Sequence, residues 1–184
     1  MATATRLITA EHFAKMQFDL PVELVRGEVV EMPRPELRHG VVCGNVGFPL
    51  SAWARSAGNG LVAFNDAGVI TRRKPDTVRG PDVMFIPMDR LPDGRVPAGL
   101  SDLVPSLVVE VRSPSDRWKN IHEKISEYFE RGVAEVWVVD YLKRRVHVFR
   151  ADDAPIILAE GDIITSESVL PGFSCEVSGF FAGL

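Results

Sequence analysis

Its 184 residues amount to one domain at roughly 150 residues per domain, and a chain of that size builds a core without disulfide or metal staples. With 46% apolar and 25% charged residues the composition is ordinary for a globular protein, which excludes disorder, collagen and coiled coil. Its 21 Lys and Arg against 25 Asp and Glu give a net charge of −4, so it is no general polycation for coating nucleic acid or anionic membrane, although a local basic surface stays open. Cys43 and Cys175 are its two cysteines, far apart and without C-x-x-C spacing. Two reduced apolar thiols are expected, and a zinc site is not. The stretch Met1 to Ile8 lacks the apolar segment of a signal peptide, and no apolar run approaches the roughly 20 residues that span a bilayer. A soluble, cytoplasmic chain is expected.

In chain order, Ile8 to Phe13 reads as a short helix start, with Thr9 as N-cap and Ile8 placed to staple against Phe13. Val22 to Met32 holds two β-rich runs around Arg26-Gly27, the mark of a hairpin, closed by Pro33 and Pro35. From Gly40 to Ala57 an imperfect helical stripe (Val41, Val42, Val46, Leu50, Trp53, Ala54) is interrupted by Gly44, Gly47 and Pro49; the spacing predicts a helix, kinked near Pro49. Leu61 to Thr71 predicts two short strands or one bent one, followed by a basic loop of Arg72, Arg73 and Lys74 with Arg79 close behind. Pro81 to Ile86 is a short apolar strand, and a Pro/Gly-rich loop runs from Pro87 to about Leu100. Leu107 to Val111 is an unalternating apolar run, as in strands covered on both faces. A helix follows from about Arg117 to Arg131, stopped by Gly132, with Trp118, Ile121, Ile125, Tyr128 and Phe129 as its apolar stripe. Ala134 to Asp140 and Val146 to Phe149 are further strands, and the C-terminal part holds short strands and a turn at Leu170-Pro171-Gly172-Phe173. This order predicts a mixed α/β sheet.

Two carboxylates stand where carboxylates are costly. Asp82 opens an apolar strand directly after Pro81, and Glu110 interrupts Leu107 to Val111, so each must be paired, hydrogen-bonded or metal-bound. On neighbouring strands they would approach within about 6 Å, and a divalent cation is the natural way to hold two such anions together. The alternatives are that Glu110 pairs with Arg112, its i+2 neighbour, and that Asp82 caps a loop. Lys124 stands at the edge of its helix's sheet-facing stripe; the alternative is a packed stem with its ammonium in water. Glu28, Glu31 and His39 form a second rank. His39 precedes the long helix and suits contact with a phosphate or a metal-bound water, or a place as a cap or surface histidine. Glu31 reads as solvent-facing, and the alternation does not decide the face of Glu28. Arg72, Arg73, Lys74 and Arg79 lie where backbone-phosphate contacts are sensible, and a solvated loop gives the same pattern.

Taken together, Pro81-Asp82, then Glu110-Val111-Arg112, then Lys124 resemble the signature of the PD-(D/E)XK nuclease superfamily. The chain is more closely similar to the Uma-two family of candidate restriction endonucleases, through "ITAEHFAKM", "ELVRGEVVEM", "RHG", "GPDVMFI", "LVVEVRSPSD", "EKISEYFERGVAEVWVVD" and "LPGF", in this order from residue 8 to about residue 173. The resemblance implies a single α/β domain over residues 1–184: a restriction-endonuclease-like core of mixed sheet and flanking helices, with an N-terminal hairpin and C-terminal strands added. It implies that Asp82 and Glu110 bind Mg²⁺, with Mn²⁺ as a substitute, and that a lysine helps activate the water attacking a DNA phosphodiester. The third position of the Glu-x-Lys element is here Arg112, which grips phosphate but cannot serve as a base. The lysine role then passes to Lys124, and substrate binding to Arg112, His39, Arg72 and Arg73. A homodimer is expected, because double-strand cutting usually needs two sites. The alternative from another class is a catalytically silent nucleic-acid-binding or assembly module on the same fold. A third, glycoside hydrolysis by two acids, is disfavoured by the cationic site member and the basic cluster.

Overall fold

The runs Leu107–Val111 and Glu135–Asp140, apolar on both faces, lie side by side in the interior of a six-stranded sheet. The computed structural model describes residues 7–184. Residues 1–6, part of the stretch examined for a signal peptide, lie outside the described residues. The elements in chain order are α1 (Ala10–Phe13), the hairpin β1 (Val22–Val25) and β2 (Glu28–Glu31), α2 (Leu37–Ala57), β3 (Gly60–Phe64), β4 (Val69–Arg72), β5 (Thr77–Arg79), β6 (Val83–Pro87), β7 (Leu107–Val111), α3 (Trp118–Arg131), β8 (Glu135–Asp140), β9 (Arg145–Arg150), β10 (Ile156–Ala159), β11 (Ile163–Ser166), β12 (Leu170–Glu176) and α4 (Val177–Phe180). Among the described residues no helix is long and apolar enough to cross a membrane.

The large sheet has the order β10-β9-β8-β7-β6-β3. Its neighbours are antiparallel except β7 and β8, which are parallel and need the crossover that α3 supplies. A second sheet runs β2-β1-β5-β4, and β11 pairs with β12. The mixed α/β sheet expected from the sequence is thus present.

Strand alternation sorts the β7 side chains. Leu107, Val109 and Val111 enter the cluster formed with α2, α4 and β12, where Val46, Leu50, Trp137, Phe173 and Phe180 are buried. Val108 points the other way, to Ile121, Ile125 and Tyr128 of α3. With a period of two, Glu110 therefore belongs to the α3 face. A third cluster, Leu24, Ile70 and Val78 with Ala10, anchors the small sheet and α1, and Ile8 and Phe13 both pack against it. Thr9 caps α1 as expected, accepting from the His12 amide at 3.2 Å.

Three expectations need correction. Helix α2 begins at Leu37, three residues before the predicted start, so His39 lies inside its first turns rather than ahead of it. Its interruptions are accommodated: the helix runs through Pro49, and a Cβ on Gly47 would stand 1.8 Å from Phe64 Cε1, so any larger residue there would have to push the partly exposed Phe64 ring aside. The Leu170–Phe173 segment is not a turn but lies within β12. There the register with β11 shifts after Thr165, and Gly172 takes a φ of 76°, so the Pro-Gly signal marks a bulge. Arg79 is not part of a solvated loop; it ends β5 and is buried.

Trp137, fully buried on β8, packs against Phe173 and Phe180 with ring centroids 6.0 and 6.4 Å away. Trp137→Ala is expected to lower unfolding free energy by about 3–5 kcal/mol. Urea denaturation followed by circular dichroism checks this, and a loss below 1 kcal/mol would mean that the site collapses around the missing ring.

Candidate active site

Antiparallel pairing sets Val83 of β6 opposite Val109 of β7. Asp82 lies one residue ahead of that pair and Glu110 one residue beyond it, so both carboxylates stand at the same end of the β6–β7 pair. Asp82 Oδ2 accepts from the Val111 amide at 2.6 Å, which ties the carboxylate to the end of β7. Its Oδ1 lies 3.3 Å from His39 Nε2 of α2. Glu110 does not pair with Arg112. Its Oε1 accepts from the Tyr128 hydroxyl at 2.6 Å and its Oε2 lies 3.4 Å from Lys124 Nζ. Lys124 and Tyr128 are four residues apart on α3, so one helix face delivers both.

Lys124 does not send its ammonium into water. Its shortest contact, 2.9 Å, is to Glu23 of β1, which is only 4% exposed. Glu23 also accepts from Arg79 at 2.8 Å and from the Gly80 amide at 3.2 Å. Arg79 in turn holds Glu127 of α3 in a two-pronged contact at 2.7 and 2.9 Å. Lys124 thus joins the two sheets through a carboxylate on each.

The electrostatics follow from this burial. Desolvation pushes the Glu110 carboxyl up and the Asp82 charge adds to it, while Lys124 and the Tyr128 hydroxyl pull it down; the balance is a pKa of about 7. Burial also works to discharge Lys124, but Glu110 and Glu23 outweigh it and keep its pKa above the ordinary lysine value. For Glu23 burial is overcome by Lys124 and Arg79, and the carboxyl stays below its usual range. His39 is opposed by burial too, yet the Asp82 hydrogen bond and Cys43 raise it to about 10, a cation at neutral pH. Asp66, at the turn after β3, is raised by partial burial and by the Asp82 charge.

The other residues singled out in the sequence lie elsewhere. The Arg112 guanidinium is held by fully buried Asp140 at 2.8 Å and lies over the Trp118 ring, 5.4 Å from its centroid. Arg72 pairs with Glu130 at 2.8 Å, and Arg73 with Glu11 and Asp102 at 2.6 and 2.9 Å. Each of these three guanidiniums is held in an ion pair. Glu28 and Glu31 are exposed on β2.

Glu23 and Glu127 lie outside the sequence expectation. Glu23 carries a signal of the kind that marks Glu110, a carboxylate inside an apolar strand (Val22-Glu23-Leu24-Val25). Glu127 carries one only through its place three residues after Lys124 and one before Tyr128.

The six-stranded mixed sheet with α2 on one face and α3 on the other is a restriction-endonuclease-like fold. A crystal structure titled as a "putative nuclease belonging to DUF820", from Anabaena variabilis ATCC 29413, is similar to this chain at a TM-score of 0.83 and 16% identity. The match covers 95% of this chain and 98% of that one, and it is a likeness of fold. The Uma2 family model, described as "Putative restriction endonuclease", matches residues 10–178, and the chain belongs to that family. The family read from the motifs is therefore correct. A search of curated proteins returned no match.

Because the Glu110 pKa rises from 4.5 to about 7 on folding, the folded chain keeps a proton there that the unfolded chain has released. Stability of the metal-free protein carried by this group is expected to fall as pH rises through that window. Glu110→Gln removes this part of the slope, and urea midpoints of both proteins across the window measure it. An identical slope in the variant would show that Glu110 titrates like an ordinary carboxylate.

Proposed function

We propose that the chain is a divalent-metal-dependent endonuclease that hydrolyses phosphodiester bonds in DNA, with Asp82 and Glu110 as metal ligands and Lys124 as the cationic member of the site. One observation carries this reading: Asp82, just ahead of β6, is tied to the Val111 amide beside Glu110, and Lys124 from α3 reaches Glu110 at 3.4 Å. Membership of a family described as restriction endonucleases supports it.

The residues fit a hard cation. Mg²⁺ takes one or two carboxylates and keeps several waters. Each carboxylate has about four lone-pair positions, so the contacts to Val111, His39, Tyr128 and Lys124 leave acceptor capacity on Asp82 and Glu110. When bound there, Mg²⁺ or Mn²⁺ would supply Lewis acidity and a water more acidic than bulk water.

The protein's own groups divide the remaining work. Val111 and Tyr128 fix one oxygen of Asp82 and one of Glu110. Lys124, clamped by Glu23, presents a fixed positive charge beside Glu110 and stabilises the charge that develops on the phosphate. His39 carries a second positive charge on the far side of Asp82. The scissile phosphate lies, on this reading, within reach of the positive charges of Lys124 and His39, with Arg72, Arg73 and Arg112 as further phosphate contacts. On this reading residues 1–184 act as one domain, and double-strand cutting pairs two copies.

Cleavage of supercoiled plasmid with Mg²⁺ or Mn²⁺ tests the proposal, beside DNA binding in Ca²⁺ and thermal melts with and without metal. The wild type is expected to nick plasmid and to melt higher with metal, because the ion binds only the folded state. Asp82→Asn loses both effects. Lys124→Ala keeps the metal-induced rise but cuts about a hundredfold or more slowly, the scale of a lost transition-state contact. A wild type that binds DNA in Ca²⁺ and never cuts would favour the silent module.

A further inference from the structure

Cys43 follows His39 by four residues on α2, so one helix face carries both side chains. The thiol Sγ lies 3.5 Å from His39 Nδ1, and His39 Nε2 lies 3.3 Å from Asp82 Oδ1. One ligand atom from each of the three residues falls within 4.8 Å of the other two. All three are partly buried, so the cluster is sheltered but open to an entering ion.

We propose that His39, Cys43 and Asp82 form a second metal site, for a borderline-soft divalent cation of the Zn²⁺ class, that shares Asp82 with the hard-cation pair. The donor chemistry separates the two sites. Asp82 with Glu110 is all oxygen, which suits Mg²⁺ and Mn²⁺. His39, Cys43 and Asp82 offer nitrogen, sulfur and oxygen, the set that zinc takes with bonds of about 2.0–2.3 Å. Such bonds in tetrahedral array put ligand atoms about 3.3–3.8 Å apart, and one ligand atom of each residue lies here within 4.8 Å of the others, so small side-chain rotations reach it. Because the imidazole turns opposite nitrogens to Cys43 and Asp82, the ion takes one of them, and side-chain rotation brings in the third ligand. A water completes the tetrahedron. The missing C-x-x-C spacing does not bear on this site, since only one cysteine enters it and the other ligands come from α2 and the residue ahead of β6.

Sharing Asp82 makes the two occupancies exclusive, a consequence that rests on the Asp82–Glu110 reading above. A soft ion at the second site draws Asp82 away from Glu110 and occupies His39. Zinc then inhibits Mg²⁺-dependent cleavage by competition.

Cobalt(II) is the probe, because a bound thiolate gives it a near-ultraviolet charge-transfer band. The full chain is titrated with Co²⁺ as wild type, Cys43→Ser, Cys175→Ser and Glu110→Gln. The band is expected in wild type, Cys175→Ser and Glu110→Gln, and is lost in Cys43→Ser. Zn²⁺ is expected to displace Co²⁺ from the wild type, and Cys43→Ser to weaken zinc affinity by at least the roughly 10–100-fold that loss of an outer-shell partner causes. Cys43→Ser should keep its melting rise with Mn²⁺, which Glu110→Gln should lose. No band in the wild type, or a band that survives Cys43→Ser, overturns the second site. A band in both wild type and Glu110→Gln, with no Mn²⁺ response in either, leaves the second site standing and overturns the hard-cation reading instead.

Discussion

The Lys124 ammonium is withdrawn from water and held between carboxylates that belong to different sheets, Glu23 at 2.9 Å and Glu110 at 3.4 Å. A buried charge of this kind is tolerable only when its partners are buried with it and their remaining lone pairs are filled. The surrounding contacts meet that condition: Arg79 and the Gly80 amide complete Glu23, Tyr128 completes Glu110, and Glu127 closes the far side of Arg79. Glu23, Glu110 and Glu127 stand against Lys124 and Arg79, with Asp82 and His39 alongside as a pair. The excess of negative charge is relieved at Glu110, the carboxylate that burial and the neighbouring Asp82 make hold its proton most firmly.

The delivery of these groups depends on packing that looks unrelated to them. Helix α2 approaches the sheet closely at residue 47, which has no side chain to push the Phe64 ring aside. That approach carries His39 to Asp82, two turns earlier along the helix. On the other face the apolar stripe Ile121, Ile125 and Tyr128 seats α3 on Val108, Val136 and Val138, and this seating aims Lys124 inward.

Much of this was legible in the sequence, because burial leaves a local trace. A carboxylate inside an apolar strand run or at its opening marks Glu110 and Asp82, and a lysine on the border of an apolar stripe marks Lys124. The hairpin, both long helices and the central strands carry period-two or helical patterns bounded by Gly and Pro. What escaped depends on contacts between distant segments. Arg79 and Arg73 look alike in a basic stretch, yet one ends a buried strand and the other meets acids from three separate loops and helices. Arg112 follows Glu110 closely enough to suggest a shared task, but the chain leaves the strand there and turns its guanidinium to Asp140 on β8. The Pro-Gly pair at 171–172 has the composition of a turn, and only the pairing of β11 with β12 makes it a bulge.

The N-terminal hairpin resembles an attachment to the core, since it belongs to the smaller sheet and precedes every strand of the larger one. Its Glu23, however, supplies the shorter of the two bonds to Lys124, a residue 101 positions later in the chain. The core therefore cannot be a free-standing module: a version lacking the hairpin would strand an ammonium in the interior with one partner gone. Co-linear growth of the fold has the same consequence. During synthesis the hairpin is complete long before α3 emerges, and its buried carboxylate gains Arg79 of β5 before it gains Lys124. The two ends of this contact bind the fate of the ornament to that of the scaffold, so that divergence in either is constrained by charge on the other.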